Sequence, residues 1–589
     1  MANHTHTASS FPKLTKAELI ALRKLPSQDV AWDGMNLLRA QSVPTLANFV
    51  SLAFWAYLKK QYPTNDAQEM RTIMENNVKD EATKIKLNEM LDASYKEISL
   101  FAEKWDSHQI LSVFANDTSW YGKIVGKSAP QLMTPEPFAR LAISLLNVQR
   151  GESVLDFCSG LANFLTEVYL STEATEFHGT ELMTEAVIVS RIRSAILGDV
   201  FQIRQGNSLL VDASADKVFA DPPFALRDGR ADKWKPWDSE IAAIFENIPK
   251  TKRMDWAFLL SAISKQKTGG KTVVLTYDGL LFRASRGEQN MRHYLLESGK
   301  LEAVIALPQG ILPYTNALCD MLVFSEGNTE VKMVDARDCK EKERYLSEMS
   351  SQNLDEVIRR VNEKTDFSRF VSHEEIANRE YDLSPVGYMA AYQVDVENGK
   401  ELGDLLVSLE RGQVTPAAKL EELSTKEETN FQYLMLKDIE DDTIRMPLPY
   451  LTDIDVTWDK FCVSEGNLVI SRSAPIKLAI VPNLHNKKVL ANGNMYFMKL
   501  DESKVNPIYV LCYLKSQEGM RQIEYMSKGS TIMILSRKDL QQIKIPMIPM
   551  ERQMAIVDKY LSIRRHLSVL RRQERDLESQ MDNLLEEAD

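Results

Sequence analysis

Long apolar runs are missing from this chain. No stretch of about 18 apolar residues occurs among its 589 residues, which excludes an ordinary helical membrane span. The N-terminus, MANHTHTASSFPK, has no basic-then-apolar layout, so no secretory signal is expected. Cysteine is scarce: five residues (Cys158, Cys319, Cys339, Cys462 and Cys512), an odd number, scattered and without a CxxC pair. That excludes a disulfide framework and a cysteine-based zinc site, predicts no bound metal, and fits a reducing, cytoplasmic setting. There is no P-loop, so any nucleotide-driven translocation or cleavage belongs to a separate subunit. There is no Pro-Cys dipeptide either, which removes the usual nucleophile for attack on cytosine C5.

Net positive charge is also missing. The formal charge is −12, the balance of 71 Lys and Arg against 83 Asp and Glu. The balance is uneven along the chain. From Lys460 to Lys544 there are 13 basic and 6 acidic residues, a local +7 that leaves −19 elsewhere. An acidic protein with one basic segment is compatible with nucleic-acid binding through that segment.

The length calls for several domains. Residues 1–125 read as helices, including the apolar run from Leu46 to Tyr62. From Gly151 short apolar strands (SVLDF, EFHGTEL, FQIRQG, KVFAD, KTVVLTY, LEAVIALP, DMLVFSE) alternate with amphipathic helices, the pattern of a doubly wound α/β domain over 126–335. The charged stretch 336–396 reads as a helical connector. Residues 397–551 form a mixed domain of many short β-type runs, and 552–589 close the chain as one helix. In that helix Ile556, Tyr560, Ile563, Leu567, Leu570, Glu574, Leu577, Met581 and Leu584 fall at alternating spacings of four and three. Eight of the nine are apolar, a coiled-coil seam.

The α/β domain carries the chemistry. Asp221-Pro222-Pro223-Phe224 follows the strand-like KVFAD, at the carboxyl edge where parallel sheets bind ligands. An exocyclic adenine amine is a poor nucleophile because its lone pair is delocalised into the ring. Asp221 and the Pro222 carbonyl are acceptors that favour its attacking form. The prolines stiffen the loop, and Phe224 offers a face for an extruded base. Alone, the same four residues read equally as a turn and a core phenylalanine. Upstream, Val154-Leu155-Asp156-Phe157-Cys158-Ser159-Gly160 is a strand entering a glycine turn, the usual first loop of a nucleotide-type cofactor site. Glu181 ends the next strand, where an acidic residue accepts hydrogen bonds from ribose hydroxyls. Asn207 follows the third strand, near a cofactor's base.

Residues 120–390 resemble the modification subunit of type I restriction–modification enzymes, a family of S-adenosylmethionine-dependent DNA adenine-N6 methyltransferases. The resemblance is carried by Leu132-Met133-Thr134-Pro135-Glu136, by the cofactor loop and by Asp221-Pro222-Pro223-Phe224. Downstream it continues through Gly279-Leu280-Leu281-Phe282-Arg283, Leu301 to Pro308, and Glu380-Tyr381-Asp382-Leu383-Ser384-Pro385 with Tyr388. It implies a Rossmann-like methyltransferase domain over 126–335. It also implies S-adenosylmethionine held by Thr134, Pro135, Asp156, Gly160, Phe164, Glu181, Asn207 and Asp221, and direct methyl transfer at Asp221, Pro222, Pro223 and Phe224. The chain departs from the family's Asp-x-x-x-Gly-Ser-Gly-Gly-Phe at Leu161, Ala162 and Asn163. A positive φ at Ala162 costs about 1 kcal/mol, and Leu161 is expected to crowd a tight turn. If the loop has decayed, the chain is instead a DNA-binding scaffold that recruits defence partners, and glycine at 162 and 163 restores cofactor affinity. Asn207 stands where the family usually has Asp, and Asp221 where type I enzymes usually have Asn.

Residues 397–589 resemble half of a type I specificity subunit, one target-recognition domain and one spacer helix. The matching residues are Leu402-Gly403-Asp404, Arg411-Gly412, Glu465 to Ser471, Lys528-Gly529-Ser530-Thr531, Leu540 to Pro546, and Pro549 to Gln553. This implies double-stranded DNA as partner, with Arg472, Lys477, Lys487, Lys488, Lys528, Arg537 and Lys538 as phosphate-contact candidates. Since a specificity subunit has two such halves, a homodimer through the C-terminal helix is expected. The helix packing on its own chain is the alternative. Between Leu226 and Arg253, Arg227, Arg230, Lys233, Trp234, Lys235 and Trp237 suit either a grip on a strand with a flipped base or a packed lid.

Overall fold

The computed structural model describes residues 14–40, 45–62, 66–116, 133–226, 254–283, 285–312, 315, 317–342, 347–389, 396–473, 475–526 and 534–583. The chain divides into two compact units, Met1–Met389 and Ala390–Asp589.

The first unit begins with a helical layer: α1 (Lys16–Leu22), α2 (Ser27–Arg39), α3 (Leu46–Gln61), α4 (Ala67–Asn77), α5 (Glu81–Lys104) and α6 (Ser107–Ala115). Local chemistry sets the starts. Thr15 with Glu18, and Asp106 with Gln109, form capping boxes, and Thr45, Asp66 and Asp80 cap α3, α4 and α5. Every residue of α3 from Leu46 to Leu58 is buried, as a helix with apolar residues on all its faces requires. It packs between α5 and a helix of the α/β layer, so both layers share one apolar core.

Next come α7 (Glu136–Leu146), β1 (Ser153–Asp156), α8 (Asn163–Ser171), β2 (Glu176–Glu181), α9 (Thr184–Ile196), β3 (Phe201–Gln205), β4 (Ala215–Ala220), α10 (Asp255–Ser264) and β5 (Gln266–Tyr277). The sheet is completed by β6 (Leu301–Ala306), β7 (Cys319–Phe324) and β8 (Glu330–Asp335). A short hairpin follows, β9 (Glu341–Lys342) with β10 (Ser347–Glu348), and then β11 (Ser368–Ser372). Nine strands pair in the order β11-β8-β6-β7-β5-β4-β1-β2-β3. β7 runs antiparallel to β5 and β6, and β11 antiparallel to β8. Strand order reverses at β1, between β2 and β4, and the crevice at the carboxyl ends of β1 and β4 is the topological switch point. Residues 336–396, expected as a helical connector, hold helices Ser351–Asn362 and His373–Asn378 and, between them, an edge strand of this sheet. Ser368 to Ser372 pair with Glu330 to Val334, with Ser368 and Val371 buried.

The second unit is mixed α/β. One sheet pairs, in order, Leu406–Arg411, Met495–Leu500, Leu468–Ser471 and Leu478–Ile480. A five-stranded sheet is centred on Phe431–Leu434, and Gly399–Glu401 pairs with Lys544–Pro546. The unit ends in a helix, Met550–Asn583, of 34 residues. Its first turns are anchored to the unit. Buried Gln553 accepts from the Asn506 amide at 2.9 Å and donates to the Ile548 carbonyl at 2.9 Å. Val557 is buried, and the Tyr560 hydroxyl lies 3.2 Å from Asp442. Among the described residues no helix is long and apolar enough to cross a membrane, and no group of three or more His, Cys, Asp or Glu side chains is arranged to hold a metal.

Candidate active site

The crevice gathers residues from five segments. β1 ends in Asp156, which is 2 % exposed. Burial, and next the neighbouring Asp221 charge, push its carboxyl well above the usual range, and its Oδ1 has no hydrogen-bond partner. The chain then turns through Gly160 at φ 48° and Ala162 at φ 60° before α8 begins at Asn163. The positive φ expected at Ala162 is therefore present. Leu161, expected to crowd the turn, and Ala162 are fully buried in the shared core. Phe164 also faces the core, stacked on Phe219 with centroids 4.1 Å apart, so it supports the loop from beneath.

Glu181, at the end of β2, organises the loop. Its Oε2 accepts from the Gly160 amide at 2.9 Å and its Oε1 from the Met183 amide at 2.7 Å. Each carboxylate oxygen keeps a lone pair for another donor. The chains after β2 and β3 are adjacent, since the Gly206 amide donates to the Glu181 carbonyl at 2.9 Å. Asn207 is half-buried, and its side chain is turned onto the Leu209 amide at 3.0 Å. Leu182, Met183 and Leu210 are exposed here, with 64 %, 49 % and 51 % of their surface free.

On the other side of β1, the Asp221 loop leaves β4. The Thr134 hydroxyl, immediately before Pro135 at the N-cap of α7, donates to Asp221 Oδ2 at 2.7 Å. Solvent reaches part of the Asp221 surface, but its carboxylate lies in the cleft, and burial pushes its pKa up to about 7 against the opposing Thr134 bond. Pro222 is buried and Pro223 exposed. Phe224 is half-buried, its ring centroid 6.4 Å from that of Tyr277. The Ala225 amide donates to Asp255 Oδ1 at 2.8 Å, fixing the loop's far end on α10. The basic and aromatic residues of 227–253 lie outside the described residues.

Three contributors escaped sequence reading. Gly179 in β2 lets the cofactor loop pass, because a Cβ there would stand 2.8 Å from Ser159 Oγ. Ser159 Oγ itself is buried without a partner. Arg193 of α9, 2 % exposed, hydrogen-bonds to the loop. Only the short Gly179–Ser159 approach had a sequence cue, a glycine inside a strand.

Residues 109–397 match the N-6 DNA Methylase family. The matched segment includes most of α6, the whole nine-stranded sheet and every crevice residue above. The chain is 24% identical over 330 residues to a type I restriction enzyme MjaVII methylase subunit of Methanocaldococcus jannaschii, covering 50% of this chain and 55% of that protein. It is 28% identical over 116 residues to a type I restriction enzyme MjaX specificity subunit of the same organism, covering 20% and 26%. The chain thus spans about half the length of the curated methylase relative. Among solved structures, the type I restriction–modification methyltransferase subunit from Streptococcus thermophilus aligns with TM-score 0.44 and 18% identity, over 63% of this chain and 99% of that one.

In the second unit the expected phosphate contacts are unevenly available. Lys477 is committed to structure, its ammonium donating to the Leu436 and Ile439 carbonyls at 2.8 Å each. Arg472 lies over the Tyr496 ring and reaches the Gly493 carbonyl at 3.4 Å. Lys487 pairs with Glu428 at 2.5 Å and Lys488 with Asp459 at 2.8 Å. Arg537 and Lys538 are exposed, Arg537 lying 3.9 Å from Glu410. Lys528 lies outside the described residues.

Proposed function

We propose that the chain is a site-specific DNA adenine-N6 methyltransferase of the type I restriction–modification kind, using S-adenosylmethionine. The observation that carries this reading is the meeting, at one switch point, of two half-sites. One is the Thr134–Asp221 pair in an Asp-Pro-Pro-Phe loop, and the other is the Asp156–Gly160–Glu181 cradle.

The cradle suits the cofactor. Asp156 Oδ1 and Ser159 Oγ are buried polar atoms without partners, and Glu181 keeps acceptor capacity. Gly160, Glu181 and Asn207, with the apolar Leu182, Met183 and Leu210, are the residues that would hold it. When bound, S-adenosylmethionine supplies an electrophilic methyl group. The protein's own part is to ready the amine. Above pH 7 the Asp221 carboxylate is charged and accepts a hydrogen bond from the adenine amine, with the Pro222 carbonyl as second acceptor. Thr134 holds the carboxylate in place, and Phe224 offers a stacking face for the extruded base. No covalent enzyme–base intermediate is required.

We further read the second unit as the DNA target-recognition domain, with the exposed Arg537 and Lys538 among its phosphate contacts. A homodimer through the C-terminal helix would complete a two-fold target, and cleavage would fall to a separate restriction subunit. Isothermal titration of S-adenosylmethionine into the full chain, with and without duplex DNA, tests the core of this reading. Micromolar binding followed by N6-methyladenine in the duplex is expected. No heat under either condition, at several temperatures, would remove the enzyme from consideration.

A further inference from the structure

Within that reading, the loop that lacks the family's glycines is held by something else. Arg193 is buried on α9, where a guanidinium costs heavily unless its donors are used. Its Nε donates to the Phe114 carbonyl at 2.8 Å, and its Nη2 to the Asn116 carbonyl, both at the end of α6. Its Nη1 donates to the Leu161 carbonyl at 3.0 Å and to Asn163 Oδ1 at 2.8 Å, both in the cofactor loop. Asn163 passes the connection on, because its Nδ2 donates to the Thr134 carbonyl at 3.4 Å. Thr134 in turn donates to Asp221. A path of hydrogen bonds thus runs from the helical layer through the cofactor loop to the carboxylate of the Asp-Pro-Pro-Phe loop.

Two features give this path a purpose. Asn163 is the first residue of α8 and does not have a positive φ, so its backbone has no need of glycine. Its amide is 4 % exposed and bridges two segments, which a glycine cannot do. We propose that Arg193 and Asn163 are positioning residues. They clamp the cofactor loop in its binding shape in place of glycines and couple that shape to the placement of Thr134 and Asp221. Neither touches a reacting atom. The loop has therefore been rebuilt around an Arg–Asn pair, and returning glycine to position 163 removes the clamp.

The test uses the full chain with S-adenosylmethionine titration and the pH profile of methylation at saturating cofactor. Asn163→Gly is expected to weaken cofactor binding about tenfold, the scale of one lost hydrogen bond to a charged group. Asn163→Asp keeps an acceptor for Arg193 but loses the donor to Thr134. It is expected to retain most of the affinity while moving the midpoint of the pH profile, a split that a merely structural role would not give. Should Asn163→Gly fail to fold, Arg193→Lys, which keeps the charge but not the fork, replaces it with the same expected loss. If the wild-type chain binds cofactor and Asn163→Gly binds as tightly or tighter, the clamp is overturned while the methyltransferase reading stands. If Asn163→Asp leaves the pH profile where it was, the coupling to Asp221 is overturned. If the wild-type chain itself binds none, the methyltransferase reading falls and the clamp with it.

Discussion

Thr134 Oγ1 donates to Asp221 Oδ2 at 2.7 Å, joining the turn before α7 to the loop after β4 across 87 positions of sequence. The bond stabilises the charged carboxylate against a burial that otherwise favours the neutral acid. Thr134→Val removes the donor with little change in volume. The pKa of Asp221 then rises further, and the rising limb of the methylation pH profile moves about one unit alkaline, the scale of a hydrogen bond to a charged group. Thr134→Ser restores it. An unchanged profile in Thr134→Val would mean that Asp221 does not control the rate.

The same group makes a stability prediction. The native pKa of Asp221 is about 7 against an ordinary 3.8, so between roughly pH 4 and 7 the unfolded chain loses a proton that the native state keeps. Stability from this group is full below pH 4 and declines until pH 7. Asp221→Asn removes the titration. Its melting temperature should match the wild type near pH 4 and exceed it at pH 8, by about 2 °C or more. A variant that is less stable at pH 8 would show that the carboxylate is ionised and well partnered in the fold.

Ala162 and Asn163 separate two effects that a double glycine replacement would mix. Ala162 has φ 60°, where an L side chain is strained. Ala162→Gly should relieve about 1 kcal/mol of that strain, offset by the extra chain entropy of glycine and by the loss of a buried methyl. The expected net change in cofactor affinity is less than about threefold. A gain of a hundredfold from this substitution alone, read by titration calorimetry, would support loop decay.

Glu181→Ala tests the cradle. It leaves the buried Gly160 amide without its acceptor, a cost of about 1–3 kcal/mol, and also removes the acceptor of the part-buried Met183 amide. Cofactor affinity should fall at least tenfold. Duplex binding in the absence of cofactor, which the proposal assigns to the second unit, should be unaffected. A parallel loss of both would point to a folding defect.

The site was legible in the sequence where chemistry sits at strand ends. Asp156, Glu181 and Asp221 each close or follow a short apolar strand, and short apolar runs between helices mark such ends well. Arg193 was not legible, because on a helix with Arg191 it reads as part of a solvated face. Burial and the carbonyls of Phe114 and Asn116 are tertiary facts. Within 336–396 charge density agreed with helices Ser351–Asn362 and His373–Asn378 but hid a strand. Ser368 to Ser372 form an edge strand with Phe370 58 % exposed, and edge strands carry polar residues that mimic a surface helix. Lys477 misled in the same way: a basic residue in a basic segment is spent on two carbonyls.

The C-terminal helix gives the last prediction. Ile556, Ile563, Leu567, Leu570 and Leu577 of the seam are between 40 % and 60 % exposed, while Val557 and Tyr560 pack on their own unit. The helix therefore docks by its first turns and leaves an apolar stripe free for most of its length of about 51 Å. A stripe at alternating spacings of four and three is self-complementary, so a second copy related by a two-fold axis can cover it. Light scattering on the full chain should give twice the mass of 67.0 kDa. Ile563→Glu with Leu570→Glu should return it to a single chain without affecting cofactor binding. A wild-type mass of one chain at micromolar concentration would exclude the dimer and leave each molecule with a single half of a two-fold target.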